Sequence, residues 1–166
     1  MKNDIELLKT VKAAYEMIDI DFELEDVDGK PGLFRVMGGN ELAPLDCGIS
    51  VARFESSGVG FQLSVTVFYE LDEDIASCVQ RLLPSMNRFL SVGCFCLMPV
   101  ENCLYLNSAF LIDRLSERDW MSSLSVNMDV LTATASRARE LLLPLVNGET
   151  APDSVREEDF YIKQLG

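Results

Sequence analysis

Apolar and polar positions change period several times along this chain, and each change marks an element. Residues 4–18 place Ile5, Leu8, Val11, Tyr15 and Ile18 on one stripe at helical spacing, with Glu6, Lys9, Lys12 and Glu16 largely off it. The period then drops to two. In IDIDFELED, Ile18, Ile20, Phe22 and Leu24 alternate with Asp19, Asp21, Glu23 and Glu25, which predicts a half-buried strand with an acidic outer face. The turn cluster Asp28-Gly29-Lys30-Pro31-Gly32 separates it from a second short strand, LFRVM. A loop over Gly38-Gly39-Asn40 and Pro44 leads to GISVARFE, whose alternation breaks between Val51 and Phe54 and predicts a bulge or a register change. Ser56-Ser57-Gly58 then turns the chain into VGFQLSVTVFYEL. Here Phe61, Leu63, Val65, Val67 and Tyr69 share one face and Gln62, Ser64 and Thr66 the other.

The second half opens at Asp72–Asp74 with a helix whose apolar stripe is Ile75, Cys78, Val79, Leu82, Leu83, Met86, Phe89 and Leu90. Pro84 lies inside it and predicts a kink or a division into two pieces. After Gly93, CFCLMPVENCLYLNSAFLI reads as a hairpin turning at Pro99-Val100-Glu101-Asn102, with Met98 opposite Cys103, Cys96 opposite Tyr105 and Cys94 opposite Asn107. Ser116-Glu117-Arg118-Asp119 resembles a capping box ahead of a long helix carrying Trp120, Leu124, Met128, Leu131, Ala135, Ala138, Leu142 and Leu145. The order is helix, four strands, helix, two strands, helix. That predicts an α+β domain over residues 1–146, with helices packed on an antiparallel sheet. Residues 147–166, acidic and interrupted by Gly and Pro, read as a mobile C-terminal tail, with Phe160, Tyr161, Ile162 and Leu165 as its docking candidates.

Composition narrows the partners. The 166 residues are 48% hydrophobic, enough for one domain with a sizeable core. No stretch approaches the roughly 18–20 uninterrupted apolar residues of a membrane helix, and the N-terminus is charged and amphipathic rather than signal-like. A soluble, cytoplasmic protein is the expectation. The net charge of −13 repels phosphate backbones and anionic membranes alike, so neither nucleic acid nor membrane is an expected partner. Acidity then serves solubility, or steers basic protein partners.

Three of the five cysteines, Cys94, Cys96 and Cys103, fall close together. In the hairpin register they project from one face with Met98, which is the geometry a soft metal such as zinc or copper(I) would need. The chain contains no histidine, a C-x-C spacing differs from paired zinc knuckles, and no cation stands near to lower a thiol pKa. Sulfur-rich packing is therefore the preferred reading, with no metal and no cofactor assigned. The opposite face of the hairpin carries Phe95, Leu97, Leu104 and Leu106, so both faces are apolar and helices on one side cover only one of them. The other needs the last helix, the tail or a second subunit, and Phe95, Leu97, Leu104 and Leu106 are the candidate interface of a homodimer. Without histidine the commonest catalytic bases and triads are missing, no phosphate-cradling glycine loop is present, and runs such as Asp72-Glu73-Asp74 read as solvated surface. An enzyme is not expected.

The segment LPSMNRFLSVGCFCLMPVENCLYLNSAFLIDRLSERDWMSSL resembles the second half of the YbjN-like sensory transduction regulators, which group with type III secretion chaperones in one superfamily. The similar features are a helix ending in an Asn87-x-Phe89 step, a hairpin of two apolar strands and a Ser-initiated amphipathic final helix. The helix and meander of the first half extend the resemblance over residues 4–146. Pro84 and the acidic tail have no counterpart in it. The resemblance implies a non-enzymatic, often dimeric module that holds an extended segment of a partner protein over apolar grooves, often with strand addition at a sheet edge. Carried onto this chain, it makes Phe34, Val36 and Met37 the candidate client groove. The alternative reading is a small-molecule or metal-binding regulatory domain, with a pocket between the sheet and the helix near Pro84 and Cys78.

Overall fold

The first helix, α1 (Asp4–Glu16), begins at a complete capping box: the Asn3 side chain accepts the Glu6 amide at 2.9 Å, and the Glu6 carboxylate accepts the Asn3 amide at 2.9 Å. In this computed structural model the described residues are 3–27, 29–37, 45–54, 58–113 and 115–162, with the side chains of Val36, Met37 and Phe54 outside the description. Six strands follow in one antiparallel sheet: β1 (Glu23–Val27), β2 (Lys30–Met37), β3 (Leu45–Phe54), β4 (Gly58–Phe68), β5 (Cys94–Met98) and β6 (Cys103–Leu111). Their order across the sheet is β1-β2-β3-β4-β6-β5, so β1 and β5 are its edges. The remaining helices are α2 (Glu73–Asn87) and α3 (Glu117–Val146). This is the α+β architecture and element order read from the sequence. The chain gathers into two compact units, one reaching to Ser64 together with Ser108–Met128, the other Val65–Asn107 together with the chain from Asp129 onward.

In the first unit, α1 buries Leu7, Leu8, Val11 and Tyr15. Ile5 and Ile18, expected on that stripe, are exposed, and Leu7 takes their place. The helix stops two residues short of Ile18 because the Ile18 and Ile20 amides both turn back to the Tyr15 carbonyl, with Asp19 at a φ of 59° between them. Strand alternation therefore starts later than the pattern suggested. Phe22 is buried against Tyr15, ring to ring at 5.0 Å, while all five residues of β1 are exposed. The expected inner face of this strand fails because an edge strand has a neighbour on one side alone. The β2–β3 register runs unbroken from Gly32 opposite Ser50 to Met37 opposite Leu45, and the suspected break at Val51–Phe54 lies beyond it. The loop over Gly38–Pro44 and the turn residues Ser56 and Ser57 lie outside the described residues. Phe61 and Leu63 are fully buried, and Trp120 of α3 packs on Phe61 at 5.3 Å. Ser116 accepts the Asp119 amide at 3.3 Å and donates its hydroxyl to the Asp119 carboxylate at 2.6 Å, which starts α3.

In the second unit, α2 is one continuous helix through Pro84. Pro84 and Gln80 are both exposed, so the carbonyl that loses its helical donor faces water, and the expected division does not occur. Cys78, Val79, Leu82 and Met86 are buried as predicted, but Phe89 lies past the helix end and is exposed, and Tyr69 is exposed just after β4. The β5–β6 register matches the reading residue for residue: Cys94 with Asn107, Cys96 with Tyr105, Met98 with Cys103. Phe95, Leu104 and Leu106 are buried within the chain and Leu97 is half-buried. These residues were the candidate dimer interface; α2 and α3 already occupy their face, since a Cβ on Gly93 would stand 2.7 Å from Leu131 and 3.2 Å from Leu106. Phe95, Leu104 and Leu106 are thus covered within the chain, and Leu97 alone of the four keeps partial exposure.

The segment beyond α3 is laid against α2 as far as Ile162, in place of the extension expected from its composition. A Schellman motif turns it back: Gly148, at a φ of 73°, donates to the Leu145 carbonyl at 3.1 Å, and the Glu149 amide reaches the Pro144 carbonyl at 2.8 Å. Two 3₁₀ turns, Pro152–Ser154 and Glu157–Phe160, follow, and Phe160 and Ile162 are buried. Leu165 lies outside the described residues.

Asn87 closes the β5 edge. Its side-chain oxygen accepts the Phe95 amide at 2.7 Å and its side-chain nitrogen donates to the Phe95 carbonyl at 3.1 Å. One amide side chain thus replaces a neighbouring strand at a buried residue. Asn87→Ala leaves both groups unpaired and is expected to destabilise the protein by about 1–3 kcal/mol, read by urea unfolding. Asn87→Asp keeps an acceptor for the amide but loses the donor, and should fall between the two.

Candidate functional site

The opposite edge, β1, is open and chemically distinct. Val27 pairs with Lys30 across a two-residue turn, and the pairing continues through Glu25 with Gly32 and Glu23 with Phe34. The closing pair of such a hairpin exchanges its main-chain bonds, so Glu23, Glu25 and Val27 direct theirs toward β2. Leu24 and Asp26 therefore direct their main-chain groups away from the sheet. Pro31, opposite Asp26, sits where this pair needs no amide from it. The Asp26 carboxylate accepts the Gly29 amide at 2.8 Å and fixes the turn.

Side chains on the two faces of this edge differ. Glu23 and Glu25 are exposed on the face that carries Phe34. Leu24, 36% exposed, is on the other, and the turn out of α1 exposes Met17 and Ile18 nearby in the chain. Lys12 holds the approach to β1, with Glu16 at 2.8 Å, Asp21 at 2.9 Å and the Phe22 carbonyl at 2.5 Å. Hydrogen bonds from Glu16 and Asp21 raise the Lys12 pKa, and Lys12 in turn lowers that of Asp21.

Phe34 lies half-buried on the open face, over a floor of glycine. A Cβ at Gly32 would stand 2.9 Å from its ring, and one at Gly48 would stand 3.4 Å from the ring and 2.8 Å from the Ser64 hydroxyl. The aromatic ring thus supplies the contact surface that two glycines lack. Of the other two candidate groove residues, Val36 pairs with Asp46 and Met37 with Leu45 on the main chain, and their side chains are outside the description. Neither the glycine floor nor the open β1 edge entered the reading of the sequence. The signal for the floor was present, because Gly32 and Gly48 occupy strand positions that share a face with Phe34.

The thiols are dispersed in environment. Cys94 is exposed, Cys96 is intermediate and Cys103 is buried, and none of the five cysteines is in a disulfide. The Cys96 thiol donates to the Cys94 carbonyl at 3.6 Å and the Cys103 thiol to the Glu101 carbonyl at 3.4 Å. Burial, with Cys96 beside it, pushes the Cys94 thiol above its ordinary value, and burial with Cys103 alongside does the same to the Tyr105 phenol. Among the described residues no three Cys, Asp or Glu side chains are disposed to hold a metal ion. No helix among them is long and apolar enough to cross a membrane.

No family model matches this chain, and no curated protein matches it in sequence. The solved structure of the ExsC–ExsE complex contains a chain with the same fold: TM-score 0.54 at 12% identity, covering 86% of this chain and 97% of that one. The two chains thus share an α+β architecture, an antiparallel sheet with helices packed on it. YbjN-like regulators specifically are not distinguished by that match.

The thiol environments predict an order of reaction. Native protein treated with iodoacetamide should label Cys94 and then Cys96, while Cys47, Cys78 and Cys103 label only on unfolding, as read by peptide mass spectrometry. Because the Cys94 pKa is raised, its thiolate fraction at neutral pH is below that of an ordinary cysteine. At pH 9.0, the ordinary thiol value, less than half of Cys94 should be thiolate, so its alkylation should lag behind that of a cysteine in the unfolded protein at the same pH.

Proposed function

We propose that this protein is a non-enzymatic, chaperone-like binding module that holds an extended segment of a partner protein by strand addition along β1. The observation that carries the reading is the asymmetry of the two sheet edges. At β5 the Asn87 side chain occupies the main chain of Phe95, whereas β1 directs the groups of Leu24 and Asp26 outward, with no such side chain on them among the described residues. A partner strand laid there finds main-chain donors and acceptors for affinity, and side-chain surfaces on both faces for selectivity. Phe34 is the groove side of the site on one face, and Val36 and Met37 further along β2 are kept as its other candidates. The fold it shares with a chain of a two-protein complex supports a protein partner.

Charge sets the chemistry of that partner. Asp19, Asp21, Glu23, Glu25 and Asp26 crowd the approach to the edge, and the whole chain carries a net charge of −13. A segment alternating Lys or Arg with apolar residues would present cations to Glu23 and Glu25 and apolar side chains to Leu24. Association should slow as salt rises, since exposed charges are screened beyond roughly 10 Å at 0.1 M. The same reading places the protein in the cytoplasm and as a homodimer, without nucleic acid, membrane or cofactor.

Leu24→Pro tests the site. Its amide points away from β2, so proline there leaves the β1–β2 ladder intact but removes one donor and obstructs a docking strand. A partner captured by wild-type protein from the native cell should bind Leu24→Pro at least ~10-fold more weakly, about 1.4 kcal/mol, with unchanged circular dichroism. A partner retained at full affinity by the folded variant would remove β1 from the mechanism.

A further inference from the structure

The C-terminal segment and α2 form a second matched pair of surfaces within the second unit. Cys78, Arg81, Ser85 and Arg88 recur at spacings of three and four, one face of a helix. The segment runs along that face in the direction of α2. The Pro152 carbonyl accepts from Cys78 at 3.6 Å and from Arg81 at 3.4 Å, Ser85 donates to the Glu157 carboxylate at 3.4 Å, and Arg88 donates to the Tyr161 hydroxyl at 3.3 Å. The Tyr161 ring meets Phe89 edge-on at 5.3 Å, and the Arg88 guanidinium lies 5.6 Å from its centre.

The hold on this segment is thin. Its polar contacts from α2 are all long for hydrogen bonds, Arg81 and Arg88 are exposed, and burial is concentrated at Phe160 and Ile162. The connection from Asn147 to Ala151 is largely exposed. A segment with few buried contacts opens before the body it covers. Once open, each chain offers an α2 face and a segment already complementary to it. They are also opposite in net charge, Arg81 and Arg88 against a segment in which Asp153, Glu157, Glu158 and Asp159 outnumber Arg156, in a chain that otherwise repels its own kind.

We propose that α2 is a docking surface for the segment 152–162 of a second copy, and that two chains assemble by exchanging these segments. The exchange keeps every contact listed above and is closed by a two-fold axis, so it stops at two chains. It deepens the homodimer reading and replaces the buried residues Phe95, Leu104 and Leu106 with a surface that can be reached. It does not depend on the strand-addition site at β1.

Complementary variants test it. Arg81→Glu with Arg88→Glu spoils the α2 face and leaves the segment; Phe160→Asp with Ile162→Asp spoils the segment and leaves the face. Light scattering on full-length protein should give a dimer for wild type, monomers for each variant alone, and a one-to-one heterodimer when the variants are mixed. Circular dichroism matching wild type shows that each variant is folded, and the exposed arginine pair carries the test if the other does not fold. A wild type that stays monomeric up to about 100 µM, where a specific dimer is expected to form, overturns both the dimer and the exchange. The mixed pair keeps one of the two docking contacts and should be weaker than the wild-type dimer; a dimer that survives in either folded variant overturns the exchange alone.

Discussion

The two hydrogen bonds between the Asn87 amide and the main chain of Phe95 determine which side of the sheet remains available. A sheet of six strands has two edges, and each exposes main-chain groups that would pair with any passing strand. At β5 those groups belong to an uncharged run, CFCLM, which would be prone to self-pairing if left bare. Asn87 sits on the last turn of α2, where its side chain can reach back to the strand that follows it. That single contact ties the helix end to the hairpin and satisfies the main chain of a buried residue.

At β1 the same liability is handled by charge. Glu23, Glu25 and Asp26 stand on a strand with no buried residue, so nothing is gained there from packing and the edge is kept soluble by repulsion. Repulsion is selective in a way that covering is not. It disfavours another copy of an acidic chain, and on the proposed reading it admits a strand of opposite charge, so protection against aggregation and choice of partner would come from the same carboxylates. Phe34 belongs to this arrangement because Gly32 and Gly48 give its ring a flat floor. Larger residues at those positions would lift the ring from the sheet.

Much of this was legible in the sequence where neighbours in the chain are also neighbours in space. The hairpin register from Cys94 to Asn107, the buried row Phe61, Leu63, Val65 and Val67, and the stripe of α3 depend on local period and came out as read. The failures have a common cause. Ile5, Ile18 and Leu24 fit their periods but stand where no second layer covers them, and periodicity carries no information about position within a sheet. Phe95 and Leu104 were assigned to a partner because the sequence does not say which face of a doubly apolar hairpin the helices choose. Asn87 was noticed as part of a motif, but its partner is a main-chain group, which has no signature in the sequence.

Charge illustrates the same difference between count and placement. With 14 basic residues against 27 acidic ones, composition alone suggests diffuse repulsion. In the structure the cations are used as ties between elements: Lys12 joins α1 to the approach to β1, Arg53 pairs with Asp4 at the start of α1, and Arg139 lies over Phe68. Arg81 and Arg88 hold the acidic segment after α3. These ties neutralise a carboxylate, cover a ring or, at Arg81, reach a main-chain carbonyl, and the surplus of negative charge is left for the surface. Such pairs contribute little stability individually when exposed. Their larger effect is on placement: Arg53, Arg81, Arg88 and Arg139 are committed to contacts within the chain, and the carboxylates in excess stay on the surface.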